Sequence, residues 1–179
     1  ITVTRFFRDG EAWRLLEESI LPELIQRLGS KQTLRIWITA CATGEEAYSM
    51  AMLLRELLDK GPSSIDAKIF ATDIDQVALS KASSGVYPAS IINELGEDRL
   101  NRFFTPKGDS SFEVSRSLRE MIIFASHNLA KDAGFTHMDL VSCRNVLIYM
   151  QPELQDQVLR NLHFALKAKR VLFLSKSET

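Results

Sequence analysis

The chain has 179 residues, enough for one domain around a single core. A composition of 45% hydrophobic and 25% charged residues excludes a disordered or fibrous chain, and a net charge of −1 excludes the broad basic field that draws proteins to nucleic acid or anionic membranes. No apolar run approaches the roughly 20 residues of a membrane-spanning helix, and the N-terminus lacks the apolar middle of a signal peptide, so a cytoplasmic protein without membrane insertion is expected.

In chain order, Trp13, Leu16, Ile20, Leu24 and Leu28 recur at three to four residues and predict an amphipathic helix over Glu11–Leu28. Leu34–Ala40 is a short apolar run between turn residues and reads as a buried strand. A helix follows over Glu45–Leu58, with Glu45 and Glu46 in its first turn, where the helix dipole favours acids. Ala67–Thr72 is the second strand, followed by a short helix over Gln76–Ser83. Met121–Ser126, Met138–Ser142 and Arg170–Leu174 are the third, fourth and fifth strands, with a helix over Glu153–Lys167 before the last. Alternating strands and helices predict an α/β fold on a mainly parallel sheet.

Residues 84–120 break that rhythm and read as an inserted subdomain, in which Phe112–Val114 and Ser117–Leu118 are candidates for a small antiparallel pair. The expected organisation is therefore an N-terminal motif and linker helix over 1–29, then a catalytic domain over 30–179 that carries the insertion.

Cys41 and Cys143 lie far apart and read as buried thiols, while His127, His137 and His163 form no pattern with metal spacing. No metal is expected. In an open parallel sheet, ligands bind beyond the carboxyl ends of the strands. Polar residues collect there: Ala42–Glu46 after the first strand, Asp73–Asp75 after the second, His127–Leu129 after the third and Cys143–Asn145 after the fourth. Gly44 permits a sharp turn or a close approach, and an acid ending the second strand is placed to accept ribose hydroxyls. The glycine-rich loops that cradle pyrophosphate or triphosphate are missing, which favours a nucleoside poor in phosphate.

These segments carry a family pattern. T-x-F-F-R-D near the start, A-x-A-T-G-E-E-A-Y-S-M-A after the first strand, A-T-D-I-D after the second, S-H-N-L after the third, C-R-N-V-L-I-Y after the fourth and L-F-L-x-x-S-E at the end resemble the CheR-type chemotaxis receptor methyltransferases. The resemblance implies a class I, Rossmann-like fold with S-adenosylmethionine as cofactor and S-adenosylhomocysteine as product. It implies cofactor contacts from Thr2, Thr4, Arg8, Ala40, Gly44, Glu45 or Glu46, Asp73, Asn128, Leu129, Arg144 and Asn145, with Thr2 standing where the family usually has Asn. Arg8 and Tyr149 match the residues flanking the transferred methyl group and are the catalytic candidates. The substrate implied is a glutamate side chain of a chemoreceptor or related signalling protein, with methyl ester as product.

Three departures qualify the match. The family's helical N-terminal domain does not precede Ile1, Lys167–Arg170 replaces a common Pro-Gly-Gly turn, and the last two strands of the usual sheet do not follow, as in an excised piece of a longer chain. The H-N-L-A-K-D and Q-P-E-L-Q forms resemble modules of large signalling proteins that also carry methylesterase domains. The short turn Pro106–Ser110 argues against tethering by a receptor C-terminal peptide. The competing expectation is a non-catalytic nucleoside-binding sensor or scaffold.

Overall fold

The computed structural model describes residues 3–29, 32–61 and 64–178, so Thr2 lies outside the described residues. Helix α1 (Gly10–Leu15) passes through a π-helical turn (Leu16–Ile20) into α2 (Leu21–Arg27). Pro22 brings no N–H to the helical ladder, and the wider turn lets the core face step five residues, from Leu16 to Leu21. Leu21 is therefore fully buried where the sequence pattern had placed Ile20, which is half-buried.

Strand β1 (Thr33–Ile38) leads to helix α3 (Glu45–Lys60), then β2 (Asp66–Asp73), α4 (Gln76–Ser84) and β3 (Val86–Pro88). Next come α5 (Ile92–Phe103), β4 (Phe104–Lys107), β5 (Ser111–Val114), α6 (Arg116–Arg119) and β6 (Ile122–Ser126). The chain closes with β7 (Met138–Cys143), α7 (Pro152–Ala165) and β8 (Leu166–Leu174). The main sheet is parallel, in the order β6-β2-β1-β7-β8. The chain winds outward from β1 to β6 on one side and then crosses to β7 and β8 on the other. The crevice at the carboxyl ends of β1 and β7 is thus the switch point where such sheets bind ligands.

One core cluster runs from Phe6, Trp13 and Leu24 through α3 to Ile36, Ile69 and Phe173, so the N-terminal segment packs directly on the sheet. Helix α3 is buried on all sides from Ala47 to Leu54, between that segment, the sheet and the insertion. The antiparallel sheet of the insertion has the order β3-β5-β4. Phe112–Val114 pairs with β3 and β4, whereas Ser117–Leu118 lies in α6. The pairing expected from sequence gives way to different partners, with Phe112 opposite Tyr87 of β3 on one side and Pro106 of the neighbouring hairpin strand β4 on the other.

Strand β8 begins at Leu166, ahead of the expected Arg170. Its polar start is held from below: Lys167 and Arg170 reach the Asp139 carboxylate of β7 at 3.0 and 3.1 Å. Asp139 is 1% exposed and also accepts the Arg35 backbone N–H from β1. The four residues Lys167–Arg170 still bulge from the ladder, since the register passes from Met138–Leu166 to Leu140–Val171 and Lys169 has a φ of 58°, and the ion pairs to Asp139 hold that bulge on the sheet.

Gly44 is where the fold is tightest. Its φ is 95°, and a Cβ there would stand 2.9 Å from the Ala82 Cβ and 3.0 Å from the Tyr87 hydroxyl. Gly44→Ala is expected to lower unfolding stability by about 2–4 kcal/mol in urea titrations, from backbone strain plus overpacking. Adding Ala82→Gly should recover only a fraction of the overpacking, because the Tyr87 hydroxyl at 3.0 Å and the Ala82 Cα at 3.2 Å remain.

Candidate active site

A cavity of about 620 Å³ opens at the switch point. Three strand ends and the N-terminal segment line it: Ala40–Ala42 after β1, Asp73–Asp75 after β2, Arg144–Val146 after β7, and Val3–Arg5 with Arg8. Non-glycine residues rarely adopt left-handed backbone, yet Phe7, Asp9, Ala40, Ala42 and Asn145 all do, with φ of 49–64°. All five lie in or directly beside these lining segments. Such strain costs roughly 1–2 kcal/mol per residue and persists only where surrounding contacts impose it.

Those contacts are visible. Asp73 accepts the Ala42 N–H at 2.8 Å through one carboxylate oxygen and the Asp75 N–H at 2.9 Å through the other, which fixes both loops. Each oxygen keeps a further lone-pair site for a ligand hydroxyl. Asp75 caps α4, accepting from Val77 and Ala78 at 2.9 and 3.1 Å. At the other side, Glu178 accepts the N–H groups of Val146 and Leu147 at 2.8 and 3.0 Å, and Ser175 N–H and hydroxyl with its second oxygen. Burial pushes the Glu178 carboxyl up, but these hydrogen bonds outweigh it and hold the group below the ordinary value.

Arg144 is the floor. Its side chain is 1% exposed, and Nη2 donates to the Arg8 carbonyl and the Asp9 carboxylate, each at 2.8 Å. Nη1 faces Glu46 at 3.5 Å, and the guanidinium lies 4.5 Å from the Phe173 ring centroid. Glu46 also accepts the Ser142 hydroxyl. Burial raises its carboxyl above the usual range, opposed in part by Arg144 and Ser142. Cys41 sits in the lining with its thiol pushed up by burial and by Asp73, so it is held neutral.

The two candidate glutamates separate clearly. Glu46 lines the cavity, while Glu45 accepts the Thr43 hydroxyl at 2.7 Å and stands outside the lining. Adjacent helical residues point about 100° apart, so only one can face the ligand. Gly44 also lies outside, where its missing side chain admits Ala82 and Tyr87.

Thr4, Arg8, Ala40, Asp73, Arg144, Asn145 and Tyr149 all line the cavity. Tyr149 is 80% exposed at the mouth, and Arg8 Nη1 donates to the Val3 carbonyl at 2.8 Å. Asn128 and Leu129 do not line it: the Asn128 side chain accepts the Ala130 N–H at 2.9 Å, and Leu129 packs against the β7–α7 cluster. His127 is a buried packing residue, edge-on to Trp37, with Nε2 2.9 Å from the Ala133 carbonyl. The anchoring role of Glu178 was hidden in the sequence, since its partners lie 31 and 32 residues away.

The donor set suits a nucleoside with an amino-acid tail. Asp73 offers acceptors for hydroxyls and Glu46 an anion for an ammonium group, and a cavity of this size falls in the usual range for small ligands. Among the described residues, no group of His, Cys, Asp and Glu is arranged to hold a metal.

A family profile described as "CheR methyltransferase, SAM binding domain" matches residues 2–179. The chain belongs to this family. Over 178 residues it is 41% identical to an uncharacterized 104.1 kDa protein of Rhodobacter capsulatus, covering 99% of this chain and 19% of that protein. It is 36% identical to chemotaxis protein methyltransferase Cher2 of Pseudomonas putida, covering 98% of this chain and 65% of that protein. A chemotaxis protein methyltransferase of Listeria monocytogenes is also 36% identical, with 99% and 65% covered. The chain thus spans a little under two thirds of these chemotaxis relatives. Among solved structures, the DszA carbon methyltransferase aligns with a TM-score of 0.56 at 18% identity, over 93% of this chain and 35% of that one. The StiE O-methyltransferase segment aligns at 0.54 and 16%, over 92% and 42%. Both share the fold.

Because the folded-state carboxyl of Glu178 is depressed, its contribution is present above the unfolded value of about 4.3 and is lost as pH falls through the folded value. Glu178→Gln is expected to cost about 1–2 kcal/mol at pH 7. In urea titrations the gap from wild type should close as the pH drops below about 4.

Proposed function

We propose that the chain is the methyl-transferring core of a protein-glutamate O-methyltransferase. It acts in the cytoplasm on chemoreceptors or related signalling proteins and releases S-adenosylhomocysteine. The observation that carries this reading is the convergence of Arg8, Glu46, Asp73 and Tyr149 on one cavity at the switch point of a CheR-family domain. S-adenosylmethionine, when bound, supplies a methyl group made electrophilic by its sulfonium.

Asp73 holds the ribose hydroxyls and Glu46 the amino group of the methionine end. Thr4, Ala40 and Asn145 complete the walls, while Gly44 and Glu45 support the β1 loop from behind. No general base is needed, because a glutamate carboxylate with an ordinary pKa of about 4.3 is already ionised at neutral pH. The task is alignment and exclusion of water, and orientation of this kind contributes roughly 7–11 kcal/mol. Arg8 keeps N–H groups beyond the one donated to Val3 and holds the incoming carboxylate by charge-assisted hydrogen bonds. Tyr149 stands at the mouth and orients that carboxylate from the solvent side.

The short β4–β5 hairpin supports recognition without a tethering peptide. The 41% identity within a 104.1 kDa relative supports a place for the chain as a module of a larger signalling protein.

The deciding experiment follows labelled methyl groups from S-adenosylmethionine into receptor protein as base-labile esters. Absence of such esters with an intact parent protein and its receptor would overturn the reading. Asp73→Asn is expected to weaken S-adenosylhomocysteine binding about ten- to a hundredfold in calorimetry, with a smaller effect on folding.

Glu46 adds a pH signature. Its carboxyl is raised in the free protein and must ionise to meet an ammonium group, so binding should release protons above the ordinary carboxylate range and weaken as pH falls. Calorimetry in buffers of different ionisation enthalpy should detect that release in wild type and lose it in Glu46→Gln.

A further inference from the structure

The cavity mouth differs from the rest of the surface in two ways. Nine large hydrophobic side chains are exposed among the described residues, and four of them, Val3, Ile74, Ile148 and Tyr149, line this one opening. Their exposures are 69%, 65%, 44% and 80%, and they come from the N-terminal segment, the β2 loop and the β7 loop. Apolar exposure gathered around one opening marks a surface that another molecule covers.

The second feature is charge. The lining holds three acids and three arginines, but the acids are engaged by groups of this chain and, at Asp73 and Glu46, by the nucleoside ligand of the proposed reaction. Asp73 and Asp75 accept backbone N–H groups, and Glu46 faces Arg144 and Ser142. Arg144 is buried at 1% exposure, with Nη2 held by Asp9 and the Arg8 carbonyl, so it adds no cation to the exposed rim. What remains is positive: Arg8, bonded only to a backbone carbonyl, and Arg5. Arg5 is exposed, lines the cavity, and has no hydrogen-bond or ion-pair partner among the described residues. The arginines of the insertion behave differently, since Arg99, Arg102, Arg116 and Arg119 each meet an acid of this chain.

We propose that Arg5 is a specificity residue that binds a second acidic side chain of the substrate, beside the glutamate that enters the cavity, while the apolar mouth packs an amphipathic helix. This deepens the glutamate-methylation reading and rests on it. A helix is the occupant that presents both features together, because residues three or four apart share a face and can offer an acid next to the reacting one, with apolar residues alongside. Arg5 touches neither cofactor nor reacting atoms in this scheme. It holds the helix in register, so its effect belongs in KM and in substrate choice.

The test uses the intact parent protein and two synthetic amphipathic helical peptides of about 20 residues. Both carry one central glutamate as methyl acceptor. Four residues away, one peptide has Glu and the other Lys. Wild type is expected to prefer the acidic peptide in kcat/KM, with a preference that shrinks as salt rises. Arg5→Ala should raise KM for that peptide roughly three- to tenfold at unchanged kcat, Arg5→Lys should restore most of it, and Arg5→Glu should reverse the preference. S-adenosylhomocysteine affinity should be the same in all three variants, which separates this role from a collapse of the cofactor cleft. Equal preference in wild type and Arg5→Ala, with transfer intact, would overturn the role of Arg5. Better transfer to free glutamate than to either peptide would overturn the helix as occupant. Absence of transfer to both peptides and to receptor protein would instead remove the glutamate-ester reading beneath it.

Discussion

One buried cation ties the site together. Arg144 lies at the end of β7 with a side chain 1% exposed, and it reaches the Arg8 carbonyl, the Asp9 carboxylate and Glu46 at once. A charge removed from water to this degree is costly unless it is well paired, and breaking such a pair from one side typically costs about 3–5 kcal/mol. Its partners come from distant regions of the sequence. The N-terminal segment that supplies Thr4, Arg5 and Arg8 is therefore held on the cleft by a contact 135 residues distant. Trp13 and Phe173 complete the seat, with their rings edge-on to each other at 5.7 Å.

Around that fixed floor the cleft accepts strain. Ala40 and Ala42 adopt left-handed backbone without glycine's freedom, and the Asp73 carboxylate holds the loop in that form by taking the Ala42 N–H. Asp73 thus serves two purposes. It shapes the loop after β1, and it points its remaining acceptor capacity into the cavity. A ligand meets a surface whose orienting groups are already immobilised, so less entropy is lost on binding.

Much of this was legible in the sequence, for reasons that differ by element. The inner strands β1, β2 and β7 read clearly because strands covered on both faces form short apolar runs, and the edge strand β6 carries such a run although Ile123 is exposed. The start of β8 was missed, because Lys167 and Arg170 are polar in sequence and neutralised only by Asp139 across the sheet. Within residues 84–120 the break in rhythm coincides with a second, antiparallel sheet, but its pairing was not legible, since β5 joins β3 and β4 rather than the residues that follow it. In the N-terminal helix a π turn shifts the buried face from Ile20 to Leu21, and spacing rules for a regular helix cannot foresee that. At the site, the choice between Glu45 and Glu46 depends on the rotational setting of α3, and the exclusion of Asn128 from the lining depends on a local turn with Ala130.

The insertion interlocks with the cleft at Gly44. Ala82 in α4 and the Tyr87 hydroxyl in β3 press on the glycine's bare face, and Tyr87 donates to the Thr43 carbonyl at 2.6 Å. Tyr48 of α3 in turn donates to the Ala82 carbonyl at 2.7 Å. Residues 84–120 are consequently not an exchangeable cassette. A chimera that imports another family member's subdomain has to bring a tyrosine at the Tyr87 position to meet Gly44 and the retained Ala82, or the loop that shapes the cleft loses part of its outer wall.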